Sequence, residues 1–170
     1  SKPMTPIDSA TLYDKLQQND ASYEALFLNN SGLPGPRMNL ELVNTFVAVV
    51  KQFSSLPLPL ITTIFTMKQI RCDDNQPEMI LAACGIQSLG VVYLKVHDPK
   101  IKALARTQMV KAMSDKRWRG REIIVESYKI IANADYADVM DHFDTFQTKG
   151  NLYEYRAILA TLAHPELLKL

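Results

Sequence analysis

The residues best suited to binding or chemistry form a basic segment from Lys95 to Arg121. This segment holds nine lysines and arginines but only two acids, Asp98 and Asp115, so its net charge is +7. Since the whole chain carries +1, the remaining residues carry −6 in total. Such clustering is typical of a surface that meets an acidic or phosphate-rich partner, and a solvated helix face gives the same pattern.

Trp118 is the only tryptophan of the chain and lies in the densest part of the basic segment. On a helical wheel it falls near Arg121 and Glu122, while Ile123 and Ile124 point the other way. An exposed tryptophan beside cations would stack on a base or anchor a protein partner. Because large aromatic side chains are mostly buried, we expect instead that Trp118 folds onto the preceding turn.

The other cations of the basic segment are placed by helical spacing. Lys102 and Arg106 are neighbours at i,i+4 on one flank of a predicted helix, and Lys100 and Lys111 lie on the other flank. The apolar face of this helix is predicted to hold Ile101, Leu104, Ala105, Met109 and Ala112. Reversing Arg119 and Arg121 to glutamate is expected to abolish partner binding with little change in thermal unfolding. The residues predicted to contact a partner are Lys102, Arg106, Lys116, Arg117, Trp118, Arg119 and Arg121.

The sequence contains none of the common phosphate-loop, dinucleotide or nucleophile-elbow motifs. Asp138 and His142, at i,i+4, could share a metal, but a closed site needs more ligands, and an acidic solvated face is the simpler interpretation. A third interpretation places this acidic face against the basic segment, within the molecule or in a second copy. Glu122 and Glu126 have acid–base spacing, although ion pairing with nearby cations is favoured. No catalytic residue, metal or cofactor is therefore predicted.

Two weaker candidates lie outside the basic segment. The loop from Asn29 to Arg37 is rich in hydrogen-bonding side chains, and loops often carry function, but a linker is the simpler interpretation. Tyr128, Tyr153 and Tyr155 near Arg156 are the support for a small-molecule pocket. Tyrosines at helical spacing are more often part of a core.

Composition excludes several classes of protein. With 47% hydrophobic and 22% charged residues among 170, the chain has the balance of a soluble globular protein that can bury a core. No apolar run approaches the roughly 20 residues that span a bilayer, and the opening residues lack the apolar region of a secretory signal. Cys72 and Cys84 do not make a disulfide framework, so we expect reduced thiols in a cytoplasmic protein, with Cys84 buried.

Apolar residues recur at three- and four-residue spacing along most of the chain, which predicts an all-α protein of eight or nine helices. We expect Asp98 to cap the sixth helix with Pro99 in its first turn, and Pro77 in the first turn of the fifth. The predicted helices are Asp8–Gln18, Ala21–Leu28, Leu40–Phe53, Leu58–Ile70, Pro77–Leu94, Pro99–Met113, Arg117–Ala132, Tyr136–Gln147 and Leu152–Ala163.

The predicted helices repeat with a spacing of about 40 residues, as helix-pair repeats do. Together with the stretches from Asp98 to Lys102 and from Trp118 to Glu122, this repeat resembles the HEAT family over residues 40–162. The resemblance implies a short α-solenoid of stacked antiparallel helix pairs. Residues 1–38 would form an N-terminal helical cap and loop, and residues 39–170 the HEAT-like repeats, in one compact domain overall.

The repeats and the lack of catalytic motifs favour a non-enzymatic interaction module with a protein partner. The alternative is a nucleic-acid-binding protein related to HEAT-like DNA alkylation-repair glycosylases, which Trp118 and Arg121 resemble in type. One tryptophan and a total charge of +1 put that alternative in doubt. Neither a membrane nor a cofactor is expected among the partners.

Overall fold

The computed structural model describes residues 6–147, with side chains through Asp141. Every regular element in this range is a helix and none is a strand, so the prediction of an all-α protein is confirmed. Eight of the nine predicted helices are present, and the ninth, predicted over residues 152–163, lies outside the described residues. The helices are α1 Ser9–Gln17, α2 Tyr23–Asn29, α3 Leu40–Gln52, α4 Leu58–Lys68, α5 Met79–Lys95, α6 Pro99–Met113, α7 Trp118–Ala134 and α8 Tyr136–Gln147.

The first residues of α5 and α6 show which sequence signals predicted a helix start correctly. Asp98 caps α6 as predicted, because its carboxylate accepts the backbone N–H of Lys100 at 2.8 Å, and Pro99 is the first helical residue. The prediction for Pro77 was wrong, since α5 begins at Met79. The Pro77 carbonyl accepts the N–H of Ile80 at 3.1 Å, so this proline belongs to the tight turn that leads into the helix.

The chain divides into two compact units, and their boundary falls between Ser88 and Leu89, inside α5. Every residue of α5 from Met79 to Tyr93 is buried. A helix that is apolar on all sides is expected to be enclosed in this way. Even so, no helix among the described residues is long and apolar enough to cross a membrane.

In the first unit, α1 packs on α3 and an aromatic cluster fills the core. The rings of Phe27 and Phe46 are fully buried and meet edge to face, with their centroids 6.0 Å apart and their planes at 82°. Tyr23 lies beside both rings, 5.5 Å from Phe27 and 6.1 Å from Phe46. Edge-to-face packing of this kind stabilises a core beyond the area that it buries.

Helix α5 approaches α4 closely at Gly85. A Cβ atom at this position would lie 2.7 Å from the Cβ of Met67 and 2.8 Å from the Ile64 carbonyl oxygen, so a larger residue would push the helices apart. The adjacent Cys84 is fully buried, as predicted, and burial raises the pKa of its thiol well above the usual value. Cys72 is also a free thiol and is half-buried.

The connection between α2 and α3 is non-helical, as predicted, and forms a closed loop. The backbone N–H of Asn39 donates to the Ser31 carbonyl at 2.8 Å, and the Asn39 side chain caps α3 by accepting the N–H of Leu42 at 3.2 Å. Gly32 has a φ of +78°, and a Cβ there would lie 2.5 Å from the Arg37 carbonyl oxygen. This loop therefore depends on a glycine at position 32.

In the second unit, α6 packs on α7 and α7 packs on α8. The last turns of α5 meet α7 at Gly90, whose N–H donates to the Ser127 hydroxyl at 2.6 Å. A Cβ at Gly90 would lie 2.9 Å from the same hydroxyl, so the crossing requires a small residue. Tyr128 and Ile124 of α7 are fully buried in this unit.

The predicted apolar face of α6 was wrong in part. Leu104 is 45% exposed and Ile101 is only half-buried. The buried face instead includes Gln108 and Met113, so it is rotated away from Leu104 by about a tenth of a helical turn relative to the predicted face. The buried residues of α6 are Ala105, Gln108, Met109, Ala112 and Met113.

Candidate functional site

The predicted contact residues from Lys116 to Arg121 surround the turn between α6 and α7, and we call residues 115–121 the α7 corner. At its centre the Asp115 carboxylate accepts three hydrogen bonds from Arg117, from the backbone N–H at 2.9 Å, from Nε at 2.9 Å and from Nη2 at 2.8 Å. Only 14% of the Arg117 side chain and 11% of the Asp115 side chain are exposed. A two-pronged pair shielded from water in this way is stronger than an exposed ion pair.

Two further residues complete the α7 corner. Nη1 of Arg121 donates to the backbone carbonyls of Asp115 at 2.7 Å and Lys116 at 3.2 Å. Gly120 leaves space for the carboxylate, since a Cβ at this position would lie 2.5 Å from Oδ2 of Asp115. The acid, both arginines and the glycine therefore act together to hold the turn that starts α7.

Trp118 is the first residue of α7 and is 48% exposed, so the expectation that it is buried was wrong. At the start of the helix it has no earlier turn of α7 to pack on. The guanidinium carbon of Arg119 lies 4.3 Å from the centroid of the indole ring, which is a cation–π contact. Since Arg119 itself is only 6% exposed, the indole rests on a buried cation.

The arginines of the α7 corner are used inside the protein. Arg119 is buried beside the indole, and Arg117 and Arg121 are bonded to the preceding turn. Reversing Arg119 and Arg121 to glutamate would break these contacts, so we now expect it to lower the free energy of unfolding. This leaves Lys116 and Trp118 as the exposed side chains of the set predicted between residues 116 and 121.

The other two predicted contact residues, Lys102 and Arg106, are half-buried on α6. Nζ of Lys102 lies 4.5 Å from the ring centroid of Tyr93, whose hydroxyl donates to Oδ1 of Asp138 at 3.0 Å. Burial and the Asp138 carboxylate together raise the pKa of Tyr93 to about 12, although Arg106 acts in the opposite direction. Lys102 thus takes part in a contact that joins α5, α6 and α8.

The predicted metal pair does not gain support from its described member. The Asp138 carboxylate is the acceptor for Tyr93, and the side chain of His142 lies outside the described residues. Among the side chains that the structure describes, no three histidine, cysteine or acidic residues converge as metal ligands would.

The remaining candidates from the sequence are a pair of glutamates on α7 and a group of tyrosines. The carboxylate of Glu126 accepts a hydrogen bond from the Lys129 ammonium at 2.9 Å, which confirms the expectation of ion pairing for this residue. Glu122 is exposed. Tyr128 is buried, as a core tyrosine would be. The tyrosines at 153 and 155 and the arginine at 156 lie outside the described residues.

Sequence reasoning singled out residues 116–121 as candidates but missed the contacts that they form. The signal for the corner was present, because Asp115 precedes Arg117 by two residues and Gly120 stands one residue before Arg121. No local signal links Tyr93 to Asp138, which is 45 residues away. Contacts of this kind are set by packing between helices and leave no short motif.

Comparison of the chain with protein families, curated proteins and solved structures finds no match in any of the three. The function is therefore argued from the geometry of the molecule itself.

Proposed function

We propose that this chain is a non-enzymatic interaction module that binds a protein through the α7 corner. In this proposal the helices form a short HEAT-like α-solenoid of antiparallel pairs, and the protein acts in the cytoplasm. The packing of α6 on α7 and of α7 on α8 is compatible with such a series of helices. Cation-rich helices and the absence of a catalytic motif in the sequence point the same way.

The observation that carries this proposal is the exposure of Trp118. Tryptophan is enriched among the residues that contribute most to protein–protein binding, because its large ring buries much apolar area with little loss of side-chain freedom. Here the ring is 48% exposed at the start of a helix and is held against the buried Arg119. A ring that is already positioned loses less conformational entropy when a partner covers it.

A protein partner is favoured over nucleic acid by the use of the arginines. Trp118 beside Lys116 would suit stacking on a base, which is why nucleic acid remains the second candidate. Tight binding to nucleic acid normally draws on several cations that contact phosphates. In the α7 corner Arg117 and Arg121 already bind Asp115 and its turn, and Arg119 is buried.

Affinity capture with matched variants tests the proposal. Immobilised wild type, Trp118→Ala and Lys116→Glu are each incubated with extract from the source cells, with and without nuclease, and the retained proteins are identified by mass spectrometry. We expect wild type to retain at least one protein that neither variant retains and that nuclease treatment does not release. When this protein is purified and added to wild type, it should also change the fluorescence of Trp118, which is the only tryptophan of the chain.

Leu58→Ala is the matched control, because Leu58 is 65% exposed on α4 and lies outside the α7 corner. This variant should retain the same proteins as wild type. Equal retention by wild type and Trp118→Ala would contradict the proposal. Loss of the retained protein on nuclease treatment would instead favour the nucleic-acid candidate.

A further inference from the structure

The outward face of α6 forms a second surface, separate from the residues of the α7 corner. Its exposed residues follow one another at three- and four-residue steps, so they lie on a single stripe along the helix. Leu104, 45% exposed, is near the middle of this stripe. The exposed residues of α6 beyond Pro99, which we call the α6 stripe, are Lys100, Ala103, Leu104, Thr107 and Lys111.

The charge of the α6 stripe has one sign. Helix α6 contains four cations and no aspartate or glutamate, so none of them can pair within the helix. Lys102 is engaged with Tyr93, whereas Lys100 and Lys111 are exposed and form no ion pair with any side chain that the structure describes. Asp98, the nearest acid in sequence, uses its carboxylate to cap the helix.

We propose that the α6 stripe binds an acidic amphipathic helix of a partner protein. Leu104 and Ala103 supply an apolar contact, and Lys100 and Lys111 lie at its two ends, about 16 Å apart along the helix axis. A partner helix with apolar residues at three- and four-residue spacing and flanking carboxylates would match both features. The phosphate backbone of a nucleic acid would use the lysines but would leave Leu104 without an apolar contact.

A second copy of this chain is a poorer match for the α6 stripe. Its acidic helix would be α8, which carries Asp138 and Asp141. However, Val139 of α8 is fully buried and Asp138 is bonded to Tyr93, so neither residue is available to a second copy. An external acidic helix is therefore the occupant that fits the charge of the α6 stripe and its exposed leucine.

Fluorescence anisotropy with three labelled peptides of about 18 residues tests the inference. The first carries a leucine and alanine stripe flanked by glutamates, the second has the same composition in scrambled order, and the third replaces the glutamates with lysines. We expect the first peptide to bind the full chain, and to bind more weakly as salt is raised. The scrambled peptide should bind at least about tenfold more weakly, and the lysine peptide should not bind.

Variants locate the binding site. Leu104→Asp and the double variant Lys100→Glu with Lys111→Glu should each weaken binding of the first peptide by about tenfold or more, because both place like charges opposite its glutamates. All three positions are exposed, so folding should be kept, and circular dichroism checks this. Leu58→Asp and Trp118→Ala are matched controls that should bind as wild type does.

Three results would overturn the inference. Equal binding of the first and scrambled peptides would reduce the stripe to non-specific charge attraction. Unchanged binding by Leu104→Asp would place the peptide elsewhere. Self-association of the chain alone in sedimentation experiments, abolished by Leu104→Asp, would make a second copy the occupant. Since Trp118→Ala is a control here, failure of the α6 stripe can be distinguished from failure of the α7 corner.

Discussion

Two of the connections that lead into a helix are held by different forces. The loop before α3 is closed by neutral hydrogen bonds, from the Asn39 backbone to Ser31 and from the Asn39 side chain to the Asn30 carbonyl at 3.0 Å. The turn before α7 is closed by charge, because Asp115 holds Arg117 at 2.8 Å. Each depends on a glycine, Gly32 within the loop and Gly120 in the first turn of α7, at which a Cβ would approach another atom to 2.5 Å.

The difference shows why a charged segment need not be a charged surface. Both connections stood out in the sequence as candidate sites. In the loop before α3, the polar side chains close the loop itself. In the α7 corner, three arginines stabilise the turn or the indole, and the side chains left for a partner are a lysine and a tryptophan.

Removing the acid of the α7 corner should have the largest effect. Asp115→Ala leaves the mostly buried Arg117 without its carboxylate, and we expect the free energy of unfolding to fall by about 3 kcal/mol. Urea denaturation followed by circular dichroism measures this change. The matched variant Asn39→Ala removes the neutral cap of α3 and should cost only about 1 kcal/mol. The comparison fails if the two variants are equally destabilised.

Gly120→Ala should cost about 2 kcal/mol, because the added methyl group displaces the Asp115 carboxylate. In an Asp115→Ala background the carboxylate is gone and only the Cβ of residue 115, at 3.1 Å, stays close, so the same substitution should cost less than about 1 kcal/mol. Gly32→Ala provides the contrast. Its obstacle is the backbone at Arg37 together with a positive φ, and its cost of about 2 kcal/mol should be the same in both backgrounds. Additive behaviour of Gly120→Ala with Asp115→Ala would show that the carboxylate does not occupy this space.

The contact of Tyr93 with Asp138 extends the comparison to pH. The pKa of Tyr93 is raised from 10.0 to about 12 in the folded chain, so between these values the unfolded state loses its proton first. The contribution of Tyr93 to the free energy of unfolding is therefore fully present below pH 10 and is lost as pH rises toward 12. Tyr93→Phe should cost about 1 kcal/mol at neutral pH and should make alkaline unfolding less steep. Urea titrations at several alkaline pH values test this, and an unchanged slope would contradict it.

Trp118→Ala should have the smallest effect on stability, below about 1 kcal/mol, since the substitution removes a half-exposed ring and one cation–π contact. Arg119→Ala, which removes the buried partner of that contact, should cost more. Thermal unfolding of the two variants side by side provides the measurement. If Trp118→Ala is the more destabilised, the indole belongs to the core and not to an interaction surface.

The helices were predictable from sequence because their signals are local. Apolar spacing located all eight described helices, and the Asp98–Pro99 pair placed the start of α6. Leu104 was misplaced because a helical wheel cannot tell which of two adjacent apolar stripes meets the core. In the structure the buried face includes Gln108 and Met113, which the predicted face did not.

The sequence singled out the α7 corner as a candidate site but did not indicate the contacts within it. Composition marked residues 116–121, yet it could not distinguish an arginine that binds Asp115 from a lysine that is exposed. The exposure of Trp118 follows from its position as the first residue of α7, where its ring contacts Arg119. The crossing of α5 and α7 at Gly90 and Ser127 also joins residues that are 37 positions apart, and no pattern within either helix indicates it.

The buried thiol of Cys84 can serve as a chemical probe of local unfolding. A thiol reagent can reach this sulfur only when the structure around it opens, because the side chain is fully buried. With Cys72 replaced by serine, the rate of labelling of Cys84 in the absence of denaturant would measure how often this opening occurs. Comparing that rate with the rate of global unfolding would show whether the surroundings of Cys84 open locally or only when the whole chain unfolds.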